Sequence, residues 1–185
     1  VVVSQASWTL VFANELIEIS AGIMMIILAN LFVIVLSTSG VQQTSVPWYF
    51  LTQFPFELHF GWILAAAVVN WNLAFVELGL GNAFQFYAAV AGVAILVVAS
   101  LALLVSGYWI APAVAVWALI AIYVKDTTLE GFSQSQLDSI EYAALGSAIF
   151  IGVAILIQSL RIWNKQRSSS DEGAATGYQR VRDGA

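Results

Sequence analysis

The sequence contains no cysteine, which excludes disulfides, thiolate zinc sites and iron–sulfur clusters. Positive charge is nearly as scarce. Only 6 Lys and Arg occur in 185 residues, and none stands before Lys125. The long segment ahead of it carries acidic charge alone, so nucleic acid is excluded as a partner. There is 1 histidine, His59. It has no Ser or Cys partner at a recognisable spacing, and no Gly-rich phosphate loop is present, so the chain reads as non-enzymatic. Charged residues of every kind make up 9%, against about 25% in ordinary soluble domains. No basic segment precedes the first apolar run, so no signal peptide is legible. The opening Val-Val-Val-Ser is read as a processed or truncated start.

What fills the chain is hydrocarbon: 61% of residues are hydrophobic and the mean hydropathy is +0.88. A helical span needs roughly 20 apolar residues. Five stretches meet or approach that, at about 16–36, 56–78, 83–105, 109–124 and 139–163. The first is open to extension N-terminally through Trp8. Length and the lack of strand alternation make these helices. The expected fold is an all-α, polytopic transmembrane helix bundle of about five spans over 1–163, in contact with the lipid bilayer. A polar, disordered C-terminal tail is expected over 164–185.

Between the first two spans, Trp48, Tyr49, Phe50 and Phe54 fit an interfacial aromatic belt. Ser135 through Asp138 resembles a capping box opening the last helix. Arg161, Lys165 and Arg167 flank that span, which puts the C-terminus on the cytoplasmic or stromal side.

The second span holds the most information. At ~100° per residue, Ala66, Asn70 and Glu77 all fall within about 20° of His59. Polar side chains in hydrocarbon are costly, so a helix that keeps them uses them or hides them against protein. Imidazole, amide and carboxylate can each ligate the metal of a tetrapyrrole, relay protons or bind a cation. Against this, His59 stands near the helix end, where solvation or a neighbouring carbonyl suffices, and this reading is preferred for His59 alone. Asn70 lies deeper, where ligand contact and interhelical hydrogen bonding weigh equally. Glu57, beside Pro55, complements its own helix dipole. Glu77 precedes Gly79 at the opposite end.

On the first span Glu15, Glu18, Gly22 and Ala29 share a face whose small residues suit helix packing, with a carboxylate ligand or cation site as the alternative. Trp62, Trp71 and Trp117 lie inside spans, where they either line a pocket for a flat apolar ligand or pack helices together.

The run Phe54-Pro55-Phe56-Glu57-Leu58-His59-Phe60-Gly61-Trp62, continuing to Asn70, resembles the PFSLYLGWITVATIAN-like helix of the tryptophan-rich sensory, TspO-like membrane proteins. Ser7-Trp8 ahead of a span with Met24 and Met25 resembles that family's preceding helix. Pro112 through Trp117-Ala118-Leu119 to Lys125 resembles its PxxxxWALIGIYxK-like segment. The resemblance covers about 4–156 and implies a helical bundle that binds tetrapyrroles or other apolar ligands. The proline-rich loop and WNPxWSxxFF-like signature of better-known relatives are missing, so ligand specificity does not carry over. Glu57 and His59 stand where members often have Ser and Tyr.

The resulting expectation is a binding protein for an apolar, tetrapyrrole-type ligand (chlorophyll or porphyrin, with carotenoid or lipid as further options) or a subunit docked in a larger membrane complex. His59, Trp62, Asn70, Trp71 and Glu77 are its candidate ligand contacts, and His59, Asn70, Glu77 and Glu15 candidate axial ligands to a tetrapyrrole metal. The alternatives are an accessory chlorophyll-binding subunit of a thylakoid photosystem or antenna, with other membrane subunits as partners, and a small proton-coupled transporter using Glu15, Glu18 and Glu77.

Overall fold

The computed structural model describes residues 1–38, 46–125 and 132–183. Seven helices follow one another among them: α1 Val2–Ala13, α2 Ile17–Thr38, α3 Val46–Thr52, α4 Phe54–Glu77, α5 Asn82–Val105, α6 Ile110–Val124 and α7 Gln134–Asp183. The polar start of the linker before α3 and the acidic loop before α7 lie outside the described residues. α2, α4, α5 and the Gln134–Lys165 part of α7 are long and apolar enough to cross a membrane; α1 and α6 are apolar but shorter. The all-helical membrane bundle expected from composition is the observed fold.

α4 is the hub, packed against α2, α5, α6 and α3. Ser20 of α2 meets Asn70 of α4, while Phe32 lies 6.0 Å from Phe60 between ring centroids, so these two helices run antiparallel. Trp62 meets Trp117 at 5.2 Å and Gly61 meets Ala111, so α4 and α6 run parallel. A core of Met24, Ile27, Leu31, Phe60, Ile63 and Tyr108 joins α2 to α4 and the start of α6. A second, around Leu64, Leu96, Leu119, Ala148 and Ile151, joins α4 to α5, α6 and α7.

Three helices end in the same device. After α4, Gly79 adopts φ +66, its N–H donates to Val76, and the N–H of Leu80 donates to Phe75 at 3.2 Å, a Schellman turn that satisfies the last carbonyls. Gly107 and Tyr108 repeat it after α5. After α1 the left-handed position is held by Glu15, at φ 60, with Glu15 and Leu16 donating to Phe12 and Val11.

Three expectations are corrected. The first span does not extend through Trp8: the Glu15 turn ends α1, which folds back on α2 and brings Trp8 and Phe12 to the level of Met24. Gly22 and Ala29 do not form the packing face of α2. Gly22 has open space beside it, and the buried face is Ser20, Ala21, Met24, Ile27, Leu31 and Val35, because the bulkier stripe and the Ser20–Asn70 pair set the helix rotation. The capping box of α7 lies two residues earlier than Ser135. The Gln136 amide donates to Ser133 Oγ at 3.3 Å and the Ser133 amide to Gln136 Oε1 at 3.0 Å, the reciprocal N-cap/N3 pairing. α7 is drawn out as helix to Asp183. Ala, Gln, Glu and Arg in that segment are good helix formers, so the change near Trp163 is one of composition.

Candidate functional site

The predicted stripe on α4 is divided by depth. His59 is half-buried, Ala66 partly buried, Asn70 buried and Glu77 exposed at the helix end. Asn70 is 3% exposed. Its Oδ1 accepts from Ser20 Oγ at 3.3 Å, and Ser20 Oγ also donates to Ile17 O at 2.7 Å. Asn70 Nδ2 is buried with no partner among the described residues, as is the indole N–H of Trp8. A buried donor without an acceptor costs about 1–3 kcal/mol, so this amide invites an acceptor from outside the protein.

The space beside it can supply one. A cavity of about 400 Å³ lies between α1, α2, α4, α5 and α6, lined by Asn70, Trp8, Phe12, Trp62 and Trp117 among others, with Lys125 included. That volume falls within the range of small-molecule sites, and so does an apolar lining with few polar groups. Trp8 and Phe12 reach this cavity because α1 folds back at Glu15.

A second cavity, of about 640 Å³, lies further toward the start of the α4/α6 seam and is lined by Phe54, Pro55, His59, Ile110 and Ala113. Trp62 and Trp117 line both cavities. His59 is the polar side chain of this groove. His59 and Asn70 stand eleven positions apart, about 16 Å along the axis, so one metal ion cannot take both.

The other candidates are not gathered. Trp71 lines neither cavity and packs at a tilt against Phe75, with ring centroids 5.7 Å apart. Glu15 and Glu18 are exposed around the α1–α2 turn, and Glu77 is exposed at the far end of α4. Among the described residues no three His, Asp or Glu side chains come together as a metal-binding group.

Glu57 has a role that its own helix did not reveal. It is 1% exposed. Oε1 accepts from Gln53 Nε2 at 2.7 Å, and Oε2 accepts from the backbone amides of Trp109 and Ile110, both at 3.3 Å. The carboxylate thus caps the N-terminus of α6 from across the seam while standing in the first turn of α4, so two helix dipoles favour its charge.

Tyr49 on α3 donates to Glu57 as well; burial first, then the Glu57 charge and this hydrogen bond, push the phenol up to about 12. The fold favours the neutral phenol. Its contribution to stability is therefore complete below the ordinary value of 10.0 and is lost as pH rises toward 12. An alkaline absorbance titration is expected to show one late-ionising tyrosine that disappears in Tyr49→Phe. A wild-type curve superimposable on that of Tyr49→Phe would contradict the Tyr49–Glu57 contact.

The site and fold define a helical membrane protein with an aromatic cavity at its centre. The family model described as TSPO-like protein matches residues 1–157, and the chain belongs to that family. No curated protein and no solved structure matches it.

Proposed function

We propose that this protein is a non-enzymatic membrane binding protein for a flat, apolar ligand that bears a hydrogen-bond acceptor, held in the Asn70 cavity. The observation that carries the reading is Asn70, whose buried Nδ2 has no partner among the described residues and whose side chain lines a cavity walled by Trp8, Trp62 and Trp117. Membership of the TSPO-like family, commonly ligand-binding, supports it. A tetrapyrrole is the first ligand class to try. Its faces suit indole walls, its carbonyl or carboxylate oxygens suit the amide, and Lys125 lines the same cavity.

A tetrapyrrole seated instead in the adjoining groove would present its metal to His59, a half-buried imidazole there. In this reading the basic end of the last span faces the cytoplasmic or stromal side, and the exposed apolar faces meet lipid or neighbouring subunits of a complex.

Titration of the purified protein in mild detergent with protoporphyrin IX, followed by tryptophan quenching, tests the reading. Saturable quenching is expected, and Asn70→Leu is expected to weaken it about tenfold, the value of one buried hydrogen bond. Binding unaffected by Asn70→Leu would remove Asn70 from the site, and no saturable binding would overturn the reading.

A further inference from the structure

The two cavities lie in tandem along one seam. On α4 their lining runs from Phe54 to Leu73, nineteen positions that rise about 28 Å, close to the ~30 Å hydrocarbon thickness. They meet at the Trp62–Trp117 pair, whose rings lie 5.2 Å apart between α4 and α6 and are tilted by 32°. Both side chains are about half exposed, at 50% and 56%, and both line each compartment. Elsewhere the walls are apolar side chains of α4 and α6, joined in the Asn70 cavity by Trp8, Phe12, Met24 and Leu96.

Besides the indole of Trp62, the side-chain hydrogen-bonding groups on the α4 wall of this cleft are His59 in one compartment and Asn70 in the other, about 16 Å apart along the axis. A compact macrocycle fills the inner compartment and leaves the outer one to lipid. A ligand that uses everything the cleft offers is long, narrow and conjugated, with a neutral oxygen function at each end.

We infer that the ligand class of the cleft is a linear polyene with oxygenated ends, spanning both compartments, with one end on Asn70, the other on His59 and its middle against Trp62 and Trp117. The inference rests on the Asn70 cavity being a ligand site, and adds the length and shape of what it holds. Conjugated chains suit the wall because dispersion against indole faces grows with every carbon laid over them. Neutral ends suit it because an imidazole and an amide stabilise a hydroxyl or carbonyl without a buried charge to compensate.

The experiment is a ladder of all-trans polyenes that carry a hydroxyl or carbonyl at both ends and increase in length. Each is titrated into the detergent-solubilised full chain alongside protoporphyrin IX, with tryptophan quenching and induced circular dichroism as readouts. A step in affinity of about three- to tenfold is expected at the length that first reaches His59, the value of one added hydrogen bond. His59→Leu, and Ala113→Phe, which fills the outer groove, are expected to erase the step and return the long chains to the affinity of the short ones.

Affinity that rises smoothly with length, or a step that survives both variants, overturns the inference while leaving the Asn70 site in place. Porphyrin binding that depends on Asn70, with no polyene bound at any length, overturns it as well. Failure of every ligand overturns the underlying reading too.

Discussion

Replacing Glu57 with Ala is expected to cost about 3–5 kcal/mol and to lower the unfolding temperature in detergent by about 10 °C. The side chain is 1% exposed and answers donors from three elements: Tyr49 of α3, Gln53 just before α4, and the amides of Trp109 and Ile110 at the start of α6. Removing it takes away the acceptor these part-buried donors share, and an abandoned donor costs more than the bond itself contributed. Glu57→Gln keeps one acceptor oxygen and is expected to lose about half as much. Thermal unfolding followed by tryptophan emission reads both. An unfolding temperature within a degree or two of wild type in Glu57→Ala would refute the cross-seam cap.

The second large effect falls on Gly61, where a methyl group would stand 2.7 Å from Ala111 Cα and 2.9 Å from its carbonyl oxygen. Those are backbone atoms of α6, and backbone does not step aside as a flexible side chain does. Gly61→Ala is therefore expected to destabilise by about 1–3 kcal/mol, and Gly61→Leu by more, through forced separation of α4 from α6. The internal control is Gly22→Ala. Gly22 is also mid-helix but has nothing within 4 Å, so alanine there is expected to stabilise by up to about 1 kcal/mol. Opposite signs at two helical glycines identify the tight seam. Equal signs would mean that α4 and α6 are not in close approach at Gly61.

How far these features were readable differs for a physical reason. The helices were legible because apolar length alone announces a membrane span. The stripe from His59 to Asn70 was legible because both residues ride on one helix and periodicity orders them. Which neighbour each face meets was not. Lipid is as apolar as a protein core, so a span that is apolar all round carries no signal of its buried side. That is why Gly22 and Ala29 looked like a packing face and proved to be open, while Ser20 and Asn70, fifty positions apart, found each other. Glu57 illustrates the same limit. Its proximity to its own helix start was visible, whereas its partners at Trp109 and Ile110 depend on a parallel packing that no local pattern encodes. Trp8 entered the cavity only because Glu15 accepts a left-handed conformation that glycine or asparagine would more readily announce.

The brevity of α6 has a mechanical consequence. Its 15 residues rise about 22 Å, some way short of the ~30 Å hydrocarbon layer that the other spans can bridge. A bilayer meets such a deficit by thinning locally. Thinning of that kind beside α6 would border the seam that carries the cleft, and a thicker bilayer would load the two ends of α6, where Glu57 holds one end and Lys125 marks the other.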